Sequence, residues 1–85
     1  MKTYKVHEDA GHGWLEVPKK EIMATPIRVT PYSYQDANNV YLEEDCDKWT
    51  FLSYLESKGE KFTLETIYHK DHAPMRSMRP FSKVG

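Results

Sequence analysis

Histidines are the candidate metal ligands in this sequence, because the imidazole nitrogen is the commonest metal ligand in proteins. The four histidines form two pairs, and each pair has an aspartate beside it: His7 and His12 near Asp9, and His69 and His72 near Asp71. Structural zinc sites mostly use closely spaced cysteine and histidine ligands, and these pairs lack that spacing. We therefore expect exposed loop histidines and no metal or cofactor, and a metal site is kept as an alternative.

Carboxylates concentrate in the run Glu43-Glu44-Asp45-Cys46-Asp47. Paired carboxylates can bind a divalent cation or act as acid and base, but this run lacks the Asp-x-Asp-x-Asp-Gly pattern of a calcium loop. A helix start explains them better, with Asp45 or Asp47 as the cap, because negative charge stabilises the N-terminus of a helix. We expect Cys46 to be a buried or half-buried structural thiol.

The C-terminal segment combines positive charge with large apolar side chains. Its basic residues are Lys70, Arg76, Arg79 and Lys83, and its apolar ones include Met75, Met78 and Phe81. Arginine, methionine and aromatic residues are enriched in the cores of protein interfaces, although the apolar side chains could equally pack onto the domain. Together with the acidic run, this composition predicts a partner-binding surface formed by Glu43, Glu44, Asp45, Asp47, Arg76, Met78, Arg79 and Phe81.

The recurring catalytic motifs are missing from the sequence. It contains no Gly-x-Ser-x-Gly elbow, no phosphate-binding glycine loop and no His-Glu-x-x-His pair. We therefore expect a protein that is not an enzyme.

Three strings carry a resemblance: HEDAGHGWLEVP at residues 7–18, YSYQ at 32–35 and YLEEDCD at 41–47. With them the chain resembles a family of small uncharacterised proteins carried by phages, plasmids and bacterial genomes. The resemblance assigns no catalytic or ligand residues. It implies a context in which small proteins bind and block host machinery, including CRISPR and restriction systems.

Size and composition predict one domain spanning residues 1–85. The net charge is −1, which is not the strongly basic balance of a typical nucleic-acid-binding domain. A single cysteine excludes an intramolecular disulfide, and the N-terminus lacks a long apolar stretch. We expect a protein of the bacterial host cytoplasm with no membrane partner.

The spacing of apolar residues predicts an α+β fold. Alternation predicts a hairpin from residues 2–6 and 14–17, further strands at 27–34 and 40–42 around a turn at 35–39, and a strand at 62–68. Helical spacing, including Trp49, predicts a main helix at about 45–58, and Pro18 begins a short helix at about 18–24. The expected architecture is a mainly antiparallel sheet with both helices packed on one face, and residues 70–85 form a loosely ordered tail or an edge segment.

The missing catalytic motifs and the separated charges thus predict a small non-enzymatic interaction protein. The resemblance implies that it belongs to a mobile element and binds and inhibits a host protein complex, such as a CRISPR-Cas or other defence system. One alternative is a nucleic-acid-binding module that uses the basic C-terminal tail. A second is a metal-dependent enzyme or metal-binding protein that uses the histidine pairs. An exposed edge strand could also pair with that of a second copy to form a homodimer.

Overall fold

The computed structural model describes residues 1–84, which form a sheet and two helices. The strands are β1 (Lys2–Glu8), β2 (Gly13–Pro18), β3 (Val29–Gln35), β4 (Asn39–Glu43), β5 (Phe62–Tyr68) and β6 (Arg79–Lys83). The helices are α1 (Lys19–Met23) and α2 (Asp47–Ser57), and a 3-10 turn spans Pro74–Ser77. The predicted α+β architecture, with one main and one short helix, is therefore confirmed.

The six strands form one sheet in the order β5-β1-β2-β4-β3-β6. Strand β5 runs parallel to β1, and every other neighbouring pair is antiparallel. The parallel pair arises because β1 and β4 point the same way, and α2 carries the chain from the end of β4 back across the sheet before β5 begins. A helix is the usual connection between parallel strands.

The main core lies between the sheet and the helices, and alternation along the strands builds it. Tyr4 and Val6 on β1, Leu15 and Val17 on β2, and Val40 and Leu42 on β4 are buried on this face. They meet Phe51, Leu52 and Leu55 of α2. Trp49 does not join this core and is 57% exposed, because it lies around the helix from the stripe formed by residues 51, 52 and 55.

The segment after β5 crosses the second face of the sheet, where Ala73 and Met75 pack against Trp14 and Tyr41. It then forms β6 at the opposite edge from β5, where β6 pairs with β3. Phe81 on β6 is 8% exposed and belongs to the main core. The partner-binding role expected for Phe81 therefore does not fit its position, because a ring buried against the sheet is not available to another molecule. Arg79, two residues earlier, is exposed.

Replacing Phe81 with alanine should lower the free energy of unfolding by about 3 kcal/mol, because the substitution removes a buried ring and leaves a cavity. Equilibrium unfolding in urea measures the change. Val84→Ala on the same segment is the control, since Val84 is 88% exposed and its truncation should change the stability by less than about 0.5 kcal/mol. Equal stabilities for the two variants would show that β6 is not packed onto the core.

Candidate functional site

The second face of the sheet carries aromatic side chains that the C-terminal segment covers. Trp14 of β2 and Tyr41 of β4 are buried there together with Ala73 and Met75 of that segment. Tyr34 of β3 and Met78 pack against this cluster, which places the expected interface residue Met78 partly inside the protein. The rings of Trp14 and Tyr34 pack edge to face with their centroids 6.5 Å apart.

Asp9 fastens the C-terminal segment to the β1–β2 loop. Its buried carboxylate accepts two hydrogen bonds from the Arg76 guanidinium, from Nε at 2.6 Å and Nη2 at 2.9 Å. It also accepts the backbone N–H groups of Gly11, His12 and Ala73, each at 3.0 Å. Hydrogen bonds from Arg76 and from these amides hold the pKa of Asp9 well below its usual range.

Arg76 lies between this carboxylate and the aromatic cluster. Its guanidinium carbon is 5.5 Å from the centroid of the Trp14 ring, within the range of a cation–π contact. The bonds to Asp9 raise the pKa of Arg76 above its ordinary value. Arg76, expected on a partner-binding surface, is instead engaged largely within the fold.

The histidines do not gather into one cluster. His7 and His69 stack with their ring centroids 5.2 Å apart, and His7 Nδ1 lies 2.9 Å from His69 Nε2. The other nitrogen, His7 Nε2, lies 2.9 Å from Glu16 Oε1. An ionised carboxylate only accepts, so His7 Nε2 carries a hydrogen, and the two neighbours engage both ring nitrogens of His7. His7 therefore has no free nitrogen for a metal ion.

The remaining two histidines lie elsewhere. His72 is exposed in the segment that leads to the 3-10 turn. His12 contacts the Trp14 ring at a centroid distance of 6.0 Å, and its Nδ1 is 3.7 Å from Glu44 Oε1.

Glu43 organises the acidic run, which the sequence did not predict. Its Oε1 accepts the backbone N–H groups of Cys46 and Asp47 at 2.6 Å each, and its Oε2 accepts that of Asp45 at 2.8 Å. The Glu43 carboxylate, four residues before α2, therefore accepts the backbone N–H groups at the start of the helix. The prediction that Asp45 or Asp47 caps the helix is wrong. Cys46 at the cap position is exposed, which also corrects the buried thiol that we expected.

Asp47 points into the protein and not toward a partner, since it is 1% exposed. Its carboxylate accepts the Thr30 N–H at 3.1 Å, the Thr30 hydroxyl at 2.8 Å and the Ser33 hydroxyl at 2.6 Å. These bonds attach the start of α2 to β3 beside the irregularity between Val29 and Ser33. The partner-binding role expected for Asp47 therefore does not fit its position.

Glu43, Cys46 and Asp47 are the one group of metal-binding side chains that lies close enough together to hold an ion among residues 1–84. The hydrogen bonds just described occupy the oxygens of both carboxylates, so the group is explained as the start of α2. We assign it no metal.

A cavity of about 520 Å³ opens between the β1–β2 loop, β3 and the acidic run. Its walls include the rings of Trp14, Tyr32 and Tyr34, and its acidic lining comes from Glu43, Glu44 and Asp45. The expected interface residues Glu44 and Asp45 thus lie at this opening. The aromatic walls of the cavity were not predicted from the sequence. The alternation Tyr32-Ser33-Tyr34 in a strand could have predicted them, because it places both rings on one face.

Comparisons with protein-family models, curated proteins and solved structures find no match for this chain. Neither helix in the part of the chain that the structure describes is long and apolar enough to cross a membrane.

Acid should weaken the attachment of the C-terminal segment through Asp9. Because the folded pKa of Asp9 lies below its unfolded value of about 4, its contribution to stability is complete above that pH and is lost as the pH falls. We expect Asp9→Asn to lower the melting temperature at neutral pH and to flatten the decline of stability below about pH 4.

Asp71→Asn provides the control, because Asp71 is exposed in the same segment. Its melting temperature should follow that of the unmodified protein across the pH series. If Asp9→Asn also followed that curve, the attachment by Asp9 would be contradicted.

Proposed function

We propose that this chain is a non-enzymatic interaction protein whose cavity binds a positively charged side chain of a partner protein. The observation that carries the proposal is the composition of the cavity, in which aromatic rings and carboxylates surround one opening. None of its lining residues among residues 1–84 is a lysine or an arginine. Such a site favours a lysine or arginine side chain over a neutral or an acidic one.

The carboxylates of Glu44 and Asp45 provide the charge for this recognition. Glu43 uses its oxygens on backbone N–H groups, but Asp45 is exposed, and the carboxylate of Glu44 is 38% exposed with His12 as its ion-pair neighbour at 3.7 Å. A cleft with walls of one charge sign concentrates the electric field and draws in the opposite charge. An incoming cation would therefore meet carboxylates that are not already neutralised by a strong internal ion pair.

The rings supply the second part of the recognition. An ammonium or guanidinium group is attracted to the face of an aromatic ring, and the attraction grows when water is excluded. The protein already uses this contact internally, since Arg76 lies over Trp14. Tyr32 is 77% exposed at the cavity and is therefore accessible to a partner. The volume of about 520 Å³ lies within the usual range of ligand pockets and accommodates a long basic side chain.

The alternative of nucleic-acid binding is less well supported. Of the basic residues on which it depends, Arg76 is paired with Asp9, and the Lys83 ammonium donates to the carbonyl oxygens of Thr25 and Ile27. Lys70 and Arg79 alone remain as exposed positive charges of that set. Two separated charges form few phosphate contacts, and such contacts supply most of the non-specific affinity.

The identity of the partner stays a proposal that rests on the resemblance. The resemblance implies a phage or plasmid context in which small proteins block host machinery, so the partner would be a component of a defence complex, and occupation of its basic surface would inhibit it. The chemistry of the cavity is compatible with this role, because complexes that handle nucleic acids expose basic side chains.

A short lysine- and arginine-containing peptide should bind at the cavity in an NMR titration. We expect shifts of the Trp14 indole N–H and of the amides of Tyr32 and Asp45, and no comparable shifts for an acidic peptide of equal length. The double variant Glu44→Gln, Asp45→Asn should bind the basic peptide about threefold to tenfold more weakly, because two attractive charges are removed from the rim.

Glu56→Gln is the matched control, since Glu56 is an exposed carboxylate on α2 outside the cavity. It should bind the basic peptide as the unmodified protein does. Equal binding of acidic and basic peptides, or shifts confined to other surfaces, would refute the proposal.

A further inference from the structure

The two edges of the sheet are protected unequally. The outer strand β6 has five residues, and it contains Pro80, which has no N–H to offer, flanked by Arg79 and followed by Lys83. Prolines, charges and short length are the usual devices that stop one edge strand from pairing with another. Strand β5 at the opposite edge has seven residues, no proline and one charged residue, Glu65.

Strand β5 also exposes apolar side chains that α2 does not cover. Leu64 is 45% exposed and Tyr68 is 62% exposed, and both lie on the same face of the sheet as Tyr4, which is buried beneath α2. A long, partly apolar edge strand without protection is a template for another strand.

We propose that the protein forms a two-fold symmetric dimer in which β5 pairs antiparallel with β5 of a second copy. The two six-stranded sheets would then become one continuous sheet. A two-fold interface requires a surface that is complementary to itself, and the backbone and the side chains of β5 both meet this requirement.

The backbone determines which residues face the second copy. The His69 N–H donates to the Glu8 carbonyl on β1 at 2.7 Å, so the odd-numbered positions of β5 direct their backbone groups toward β1. In a parallel pair the alternate residues point the other way. The N–H and C=O groups of Leu64, Thr66 and Tyr68 therefore point outward, where about six hydrogen bonds to a second copy can form.

The side chains select one register. When Thr66 lies opposite Thr66 of the second copy, Leu64 faces Tyr68 of that copy, and the same contact occurs again across the axis. Aromatic and aliphatic pairs and threonine pairs are favourable cross-strand neighbours. A register centred on Glu65 would place two carboxylates directly opposite each other, which is unfavourable. The register centred on Thr66 is therefore the one that we propose.

Sedimentation equilibrium over a concentration series tests the dimer directly. The unmodified protein should approach twice the 10.0 kDa mass of one chain as the concentration rises to millimolar. Leu64→Lys alone and Tyr68→Glu alone should each shift the mass back to one chain. The double variant should restore the dimer, because each introduced ammonium then faces an introduced carboxylate across the axis.

Met23→Lys is the matched control, because Met23 is another exposed apolar residue, at 58% exposure, and lies away from β5. It should leave the mass unchanged, and circular dichroism should show that all variants keep the fold. A mass of one chain for the unmodified protein at every concentration overturns the dimer. A dimer that both single variants leave intact overturns the interface, and a monomeric double variant overturns the register.

Amide hydrogen exchange gives a second readout that needs no substitution. The amides of Leu64, Thr66 and Tyr68 should exchange more slowly as the concentration rises, because only the dimer bonds them. The Ile67 amide, which faces β1, should not respond to concentration. Equal behaviour of all four amides would contradict the proposed pairing.

Discussion

The buried carboxylate of Asp9 is the interaction on which the second face of this protein depends. Five hydrogen bonds, two from Arg76 and three from backbone amides, surround a side chain that is 1% exposed. A buried charge is tolerated only when it is paired and hydrogen-bonded, and here both conditions are met by residues far apart in the chain. Asp9 thereby joins the first hairpin to the C-terminal segment, and that segment covers Trp14 and Tyr41.

Two further carboxylates hold in place the acidic loop that lines the cavity. Glu43 binds backbone amides at the start of α2, and Asp47 binds Thr30 and Ser33 of β3. These two side chains fix the acidic loop against the sheet, so they are not available to a partner. Glu44 and Asp45, which lie between them in the chain, remain at the cavity, where the proposed recognition of a basic side chain would use them.

The elements could be predicted from the sequence because local patterns determine them. Alternation at Tyr4 and Val6 and at Leu15 and Val17 predicted the hairpin. The spacing of Trp49, Leu52 and Leu55, with Phe51 four residues before Leu55, predicted α2, although Trp49 is exposed and does not join the core. The turn at residues 35–39 forms as expected, with Asp36 accepting the backbone N–H groups of Asn38 and Asn39. Each of these features is determined by residues that lie within a few positions of one another in the chain.

The site was less predictable because its contacts join distant residues. Asp9 and Arg76 are 67 positions apart, and nothing local marks Asp9 as anything but a loop residue beside a histidine. The acidic run was expected to form one surface. Asp47 instead points inward, because it is the first residue of α2 and its carboxylate accepts a hydrogen bond from the Ser33 hydroxyl of β3. Exposed loop histidines were expected, but His7 lies on β1, is 9% exposed and stacks on His69, which belongs to the other pair in the sequence.

The attachment of the C-terminal segment is tested most directly at the Ala73 amide, which donates to Asp9 at 3.0 Å. Hydrogen exchange measured by NMR on the unmodified protein tests it residue by residue. The Ala73 amide should exchange as slowly as the amides of the central strand β2, because both open only when the domain unfolds. Exchange of Ala73 at the rate of an unstructured peptide, with β2 still protected, would contradict the claim that Asp9 holds the C-terminal segment on the sheet.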